Sequence, residues 1–269
     1  MIHLILIIRV KSMRIITANV NGIRAANKKG FFEWLVKQKA DVVCIQETKA
    51  QESQLDDPVF HPKGYYCYYF DAVKKGYSGV ALYCKTKPDK VIRGLGWDHC
   101  DTEGRYIQAD FGKLSIASLY LPSGSSSEER HNNKLDFMDR LMDVLKGFRR
   151  KKREYIICGD WNIIHKEIDI KNFKPNLKNS GVTQVEREWL DELFDARGYI
   201  DSFREINTKA EEYTWWSNRG QARANNVGWR IDYQVATPIV GVTAKKTSTY
   251  KKIWFSDHAP LTIDYDYTL

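Results

Sequence analysis

The chain has 269 residues, room for one large domain or two small ones. A hydrophobic content of 43% excludes wholesale disorder, and five cysteines with no C-x-x-C argue against a disulfide framework or a zinc ribbon and for a reducing compartment. A net charge of +8 favours a polyanionic partner such as nucleic acid, although ordinary basic proteins share that value.

In chain order, residues 1–12 hold an apolar run, Ile2 to Ile8, broken by His3. The run is too short to span a bilayer and lacks the basic start and small-residue cleavage site of a signal peptide. It reads as an N-terminal extension ahead of a single domain, residues 13–269. Strands are predicted at 14–20, 40–48, 65–70, 79–85, 105–111, 114–121, 154–160, 230–237 and 261–267. Several are near-continuous apolar runs, as in strands covered on both faces. Cys44 and Cys158 fall inside two of them, where cysteine acts as a small buried hydrophobe.

Helical patterns separate some of these strands. One follows the first strand, in "KGFFEWLVKQKA". A second, "EERHNNKLDFMDRLMDVLKGF", puts Leu135, Met138, Leu141, Met142, Leu145 and Phe148 on one stripe. A third opens on Thr183 and Glu186 at capping-box spacing, carries Trp189, Leu190, Leu193 and Phe194 inward, and stops at Gly198. Strands interleaved with helices, and no linker between them, indicate one α/β or α+β domain.

Polar residues gather where strands meet loops. Asn19 and Asn21 end the first strand, and Gln46, Glu47 and Thr48 the second. Tyr120 precedes "LPSG", Asp160 and Asn162 follow "YIICG", Asp232 lies in "WRIDYQ", and Asp257 and His258 precede the last strand. For any one of these residues a turn or a helix cap is the default role. A buried carboxylate is costly without a partner, so several converging ones require a cation. Oxygen donors with a single histidine suit Mg²⁺ or Mn²⁺ better than Zn²⁺.

"ANVNGIRA", "VVCIQETK", "LYLPSG", "ICGDWN", "NVGWRIDY" and "FSDHAPL" occur in one order. The set closely resembles the exodeoxyribonuclease III-type abasic-site endonucleases of the metal-dependent endonuclease/exonuclease/phosphatase superfamily, from about Met13 to the C-terminus. The resemblance implies a deoxyribonuclease I-like four-layer α/β sandwich: two mixed sheets face to face, helices outside, and the active site at one edge. It also implies roles. Glu47 is the principal Mg²⁺ ligand with Asn19 nearby, and Asp257 a second metal position; Mn²⁺ substitutes. Asp160 and Asn162 border the metal, Asp160 activating water and Asn162 positioning phosphate. His258, also on the metal side, contacts the scissile phosphate and is oriented by Asp232. Tyr120 donates toward the phosphate or the leaving oxygen.

Trp215, Trp229 and Ile231 match positions that wall an abasic-sugar pocket, whereas Trp216 should point the other way and pack. Asn21, Arg24, Lys28 and Lys29 are candidates for the DNA backbone, as are Arg219, Arg223 and Arg230. The basic run at 148–154 reads as a solvated turn. Two departures stand out: Asn21 where some relatives have Asp, and Trp229 where some bacterial ones have Leu. The implied protein is a cytoplasmic, monomeric Mg²⁺-dependent DNA-repair hydrolase without a membrane partner. It would incise double-stranded DNA 5′ to abasic sites and clean blocked 3′ ends. Its rivals are a phosphodiesterase for another phosphate ester and a non-catalytic DNA-binding protein.

Overall fold

Strand-forming stretches fall into two six-stranded sheets that share one interior. The structure, a computed structural model, describes residues 12–269. Of the expected extension only Ser12 lies among the described residues, and it is exposed. The first sheet contains β1 (Met13–Asn19), β2 (Val42–Gln46), β3 (Tyr66–Phe70), β4 (Val80–Cys84), β13 (Ala244–Thr249) and β14 (Leu261–Tyr265), in the order β13-β14-β1-β2-β4-β3. The second contains β5 (Lys90–Arg93), β6 (Tyr106–Phe111), β7 (Leu114–Tyr120), β8 (Glu154–Asp160), β9 (Ile200–Asp201) and β12 (Asp232–Ala236), in the order β5-β6-β7-β8-β12-β9. β10 (Trp215–Trp216) and β11 (Gly228–Trp229) form a separate two-stranded ribbon. β1–β2 and β7–β8 are parallel and the other pairings antiparallel, so both sheets are mixed.

The period of two explains the layers. Along β1 and β2, Ile15, Val42 and Cys44 face Ile107, Ile116, Ile156 and Cys158 of the other sheet. Their neighbours Ile16, Val43 and Ile45 face outward, onto α1 (Ile23–Lys28) and α2 (Phe31–Gln38). Outside the second sheet lie α4 (Glu128–Arg149) and α6 (Gln184–Asp191), covering Ala117, Leu119, Ile157, Tyr233 and Val235. Short helices α3 (Asp98–Asp101), α5 (Phe173–Asn176) and α7 (Pro238–Gly241) fill connections. This is the four-layer sandwich expected from the sequence.

Details differ. Leu135 and Phe194 are only partly buried, and Phe137 and Lys134 take buried places on α4. β5 and β13 went unpredicted because they are short or lysine-bearing edge strands, whose polar faces hide the alternation. The basic run is the expected turn: α4 ends at Arg149, and Arg149 to Lys152 are exposed. All five cysteines are free, with Cys44 and Cys158 buried.

The interior changes character along the strands. Past Ile15 and Cys44 it becomes polar: Thr17 donates to Gln46 Oε1 (3.2 Å), and Gln46 Nε2 donates to Ser118 Oγ across the sheets (2.9 Å). One step further the registers place Asn19 beside Gln46, and Asp160 directly between Tyr120 and Asp232. Three strands of the second sheet thus deliver their polar residues in a single row.

Candidate active site

The row opens into a cleft of about 210 Å³ between the sheet ends. Glu47, Tyr120, Asp160, Asn162, Trp215, Trp229, Ile231, Asp257 and His258 all line it. Asn19 and Asp232 lie buried beneath. Asn19 Nδ2 donates to Glu47 Oε1 (2.8 Å) and to Asp160 Oδ2 (2.9 Å), so it ties one sheet to the other. The loop residues Glu47 and Asn162 both have left-handed backbones, φ +52° each, an uncommon conformation outside glycine. Asp160 Oδ1 accepts from Asn162 N (2.9 Å), and Asn162 Nδ2 donates to Leu121 O (2.8 Å) and, at 3.4 Å, to Asp160 Oδ2.

The histidine is held in place. Its Nδ1 donates to Asp232 Oδ2 (2.9 Å), and its Nε2 lies 3.7 Å from Asp160 Oδ2. Burial opposes a charge on the ring, but Asp232 and Asp160 outweigh it and raise His258 to about 10. Asp160 moves up as well, to about 7: burial is the main cause, and Asp232 and Glu47 add to it against the charge of His258. Burial also raises the Tyr120 phenol well above its usual range, so it stays an O–H donor. The Arg105 guanidinium sits 4.8 Å from the centre of that ring.

Glu47, Asp160 and His258 each offer an atom within 4.8 Å of the others. The donor set fits a hard divalent cation: carboxylate and amide oxygens dominate, and burial together with Asp232 and Glu47 makes Asp160 cling to a proton in spite of the charge on His258. Asp257 lines the cleft but lies outside that group. Its Oδ1 accepts from Asn21 Nδ2 (2.8 Å) and its Oδ2 from Trp215 Nε1 (3.1 Å), and the charge on His258 and these two donors hold it low against burial.

Trp215 and Trp229 pair across the β10–β11 ribbon, ring centres 5.5 Å apart and nearly perpendicular. With buried Ile231 they form an apolar wall beside the acids. Trp216 is buried against Tyr213 and Ala259, on the opposite side of its strand as expected. Asn21, Arg24, Lys28, Lys29 and Arg219 are exposed and do not line the cleft.

Of two further arginines, one is not where a phosphate contact needs it and the other is half-buried. Arg230 has no exposure: it binds Asp169 (2.7 Å) and Asp201 (2.7 Å) inside the fold. Extended backbone sends it to the face opposite Trp229 and Ile231. Arg223 lies between the Trp216 and Trp254 rings and donates to Ser256 O (3.1 Å). Sequence reasoning missed two lysines. Lys49 bridges Glu47 Oε2 at 2.7 Å, and Lys134 lines the cleft from α4. Lys49 stands in "QETK" next to a singled-out acid, a usable signal; Lys134 had only its place in the apolar stripe.

Comparison with known proteins agrees with this geometry. The model of the Endonuclease/Exonuclease/phosphatase family matches residues 16–258. The chain is 39% identical over 251 residues to an exodeoxyribonuclease of Bacillus subtilis (strain 168), covering 93% of this chain and 98% of that one. It is 35% identical over 260 residues to a DNA-(apurinic or apyrimidinic site) endonuclease of Dictyostelium discoideum, covering 94% and 71%. An AP endonuclease structure from Archaeoglobus fulgidus superimposes with a TM-score of 0.84 at 28% identity, covering 95% and 100%. The chain belongs to the Endonuclease/Exonuclease/phosphatase family and, within it, to the exodeoxyribonuclease III-type AP endonucleases, which are metal-dependent DNA-repair nucleases.

Proposed function

We propose that this phosphodiesterase incises duplex DNA 5′ to an abasic site, leaving a 3′-hydroxyl and a 5′-deoxyribose phosphate, with Mg²⁺ as its usual ion and Mn²⁺ as a substitute. The observation that carries the reading is the meeting of Glu47, Asp160 and His258 beside a Trp215–Trp229–Ile231 wall in one cleft. A sugar without its base presents an apolar face that such a wall can hold, while an intact base must be unstacked and finds little room.

Glu47, steered by Asn19, and Asp160 would hold the ion. Its charge would offset the acids and the negative charge that builds on the phosphate oxygens. His258, with Nδ1 bonded to Asp232 and a raised pKa, is a cation without a free lone pair; its Nε2–H serves as a phosphate donor rather than a ligand. Tyr120 supplies a second donor. Asn162 has one amide hydrogen only loosely engaged, at 3.4 Å, and that hydrogen is free to turn to the phosphate. Asp160, a carboxylate that lines the cleft beside Asn162, is placed to take the proton of the attacking water. The new bond joins the water oxygen to phosphorus, the P–O3′ bond breaks, and O3′ takes up a proton from solvent to become the 3′-hydroxyl while Asp160 holds the proton lost by the water.

Removal of 3′ blocking groups and 3′→5′ exonuclease action use the same P–O chemistry and belong to the same proposal. So do action as a monomer and a cytoplasmic location without a membrane partner; no helix among the described residues is long and apolar enough to cross a membrane. The test is a duplex with one abasic-site analogue, incubated with Mg²⁺ or with EDTA. A nick immediately 5′ to the analogue, abolished by EDTA, is expected. An uncut duplex overturns the activity. Turnover of a phosphoinositide without DNA cleavage would favour a different phosphate ester, and tight DNA binding without cleavage a non-catalytic role.

A further inference from the structure

At the wall of the cleft, α4 carries a lysine where its apolar stripe should continue. The side chain of Lys134 is 1% exposed and that of its partner Glu186 is fully buried; their charged atoms are 2.5 Å apart. An ammonium has three hydrogens to place. Here one goes to Glu186 Oε1 (2.5 Å), one to the backbone carbonyl of Asn162 (2.8 Å), and the third points at Ser180 Oγ (3.5 Å).

The Asn162 carbonyl is an unusual acceptor. Asn162 has φ +52°, and that turn directs its oxygen into the protein while its side chain faces the cleft. The chain of Gly181 presses on the same spot: a Cβ there would lie 2.7 Å from that oxygen, and φ is +92°. Glu186 in turn accepts from Gly181 N (2.9 and 2.7 Å) and from the Thr183 hydroxyl (2.6 Å). One ion pair therefore joins α4, the Asp160–Asn162 loop and the 180–183 loop at a single buried point. A neutral residue at 134 would leave the carbonyl without a partner, and the turn that aims the Asn162 amide would lose what fixes it.

We infer that Lys134 is a positioning residue: by binding the Asn162 carbonyl and being held by Glu186, it fixes the backbone turn that aims the Asn162 side chain at the reacting phosphate. This rests on the proposed incision and adds to it a residue that acts through Asn162 instead of touching DNA. Removing such outer support from a reacting centre slows reaction by about 10- to 100-fold.

The experiment is a double-mutant cycle read by single-turnover nicking of the abasic duplex, using Lys134→Met, Asn162→Ala and the double variant. Lys134→Met should slow the chemical step about 10- to 100-fold, with duplex affinity measured in EDTA within about threefold of wild type. In the Asn162→Ala background it should cost nothing further, because the group it positions is gone. An unpaired Glu186 can unfold the protein, so Lys134→Met/Glu186→Met, which removes both charges, is run in parallel. A second readout needs no turnover: the Asn162 side-chain amide resonance, identified by its loss in Asn162→Ala, should shift in the Met/Met variant. Additive effects in the cycle, a weakened duplex affinity at full single-turnover rate, or an unmoved Asn162 resonance each overturn the positioning role. A wild-type protein that leaves the duplex whole overturns the incision reading instead, and the resonance then still decides the role of Lys134.

Discussion

Two groups of buried acids meet at the short stretch from Arg230 to Asp232, and the protein treats them differently. Asp169 and Asp201 are matched by arginines: Arg230 binds both, and Arg204 adds a bond to Asp169 at 2.5 Å. Burial alone would raise the Asp169 carboxyl, but these guanidiniums hold it well below the usual carboxylate range. Asp160, equally buried, has no arginine, and burial with its acidic neighbours drives it the other way. The contrast separates structure from function: a carboxylate neutralised by guanidiniums is a strut, and one that still holds a proton at a cleft, in spite of His258, awaits a cation and a substrate.

The contrast can be broken by neutralising each side in turn. Asp160→Asn should reduce nicking by roughly 10²–10⁴-fold, the usual scale for a lost general base, in a protein whose metal-free melting temperature is unchanged or higher. A rate within tenfold of wild type would remove Asp160 from the chemistry. Arg230→Met should do the reverse. Urea denaturation should reveal a loss of about 3–5 kcal/mol, since buried Asp201 loses its arginine and Asp169 keeps only Arg204, while the folded fraction turns over within a few-fold of wild type. A loss of turnover at full stability would mean that Arg230 serves the substrate after all.

Smaller effects sharpen the picture. Trp229→Ala should reduce the preference for an abasic over an intact nucleotide by about 1–3 kcal/mol, the scale of one apolar wall; equal losses on both substrates would make Trp229 mere packing. The pH dependence follows from the two raised groups. Asp160 keeps a proton in the fold that the unfolded chain releases, so its contribution to metal-free stability falls as pH rises from 3.8 to about 7. The contribution of His258 is full below 6.5 and fades toward about 10. Calorimetry without metal should show melting temperature falling from pH 5 to 8, and Asp160→Asn should flatten the lower part of that fall. Mg²⁺ should stabilise the protein more at pH 8 than at pH 6, because the ion displaces the proton. Least of all, Arg24→Ala should reduce the salt slope of duplex binding by roughly 0.9, one phosphate contact; an unchanged slope would place Arg24 off the DNA.

Much of this was legible in the sequence, for physical reasons. Strands covered on both faces announce themselves as apolar runs, so β1, β2, β4, β7 and β8 could be placed, and a polar residue closing such a run is conspicuous. That is how Asn19, Glu47, Tyr120 and Asp160 stood out. Side-chain pairing between distant segments left no such mark. Arg230 reads as a DNA-phosphate candidate alongside Arg219 and Arg223, because its partner Asp169 lies 61 residues away. Nothing in the sequence marks Lys134; only the fold brings Glu186 and the Asn162 carbonyl to it. Edge strands such as β13 failed for a related reason: lysines that guard an edge erase the pattern that would reveal it.

The most direct test of a cation completing the acids of the cleft is anomalous scattering from crystals grown with Mn²⁺. A strong peak is expected roughly 2.1 Å from carboxylate oxygens of Glu47 and Asp160, with none near Asp169 and Asp201. No peak at Glu47 and Asp160, or a peak at Asp169 instead, would contradict the division between the two acid groups.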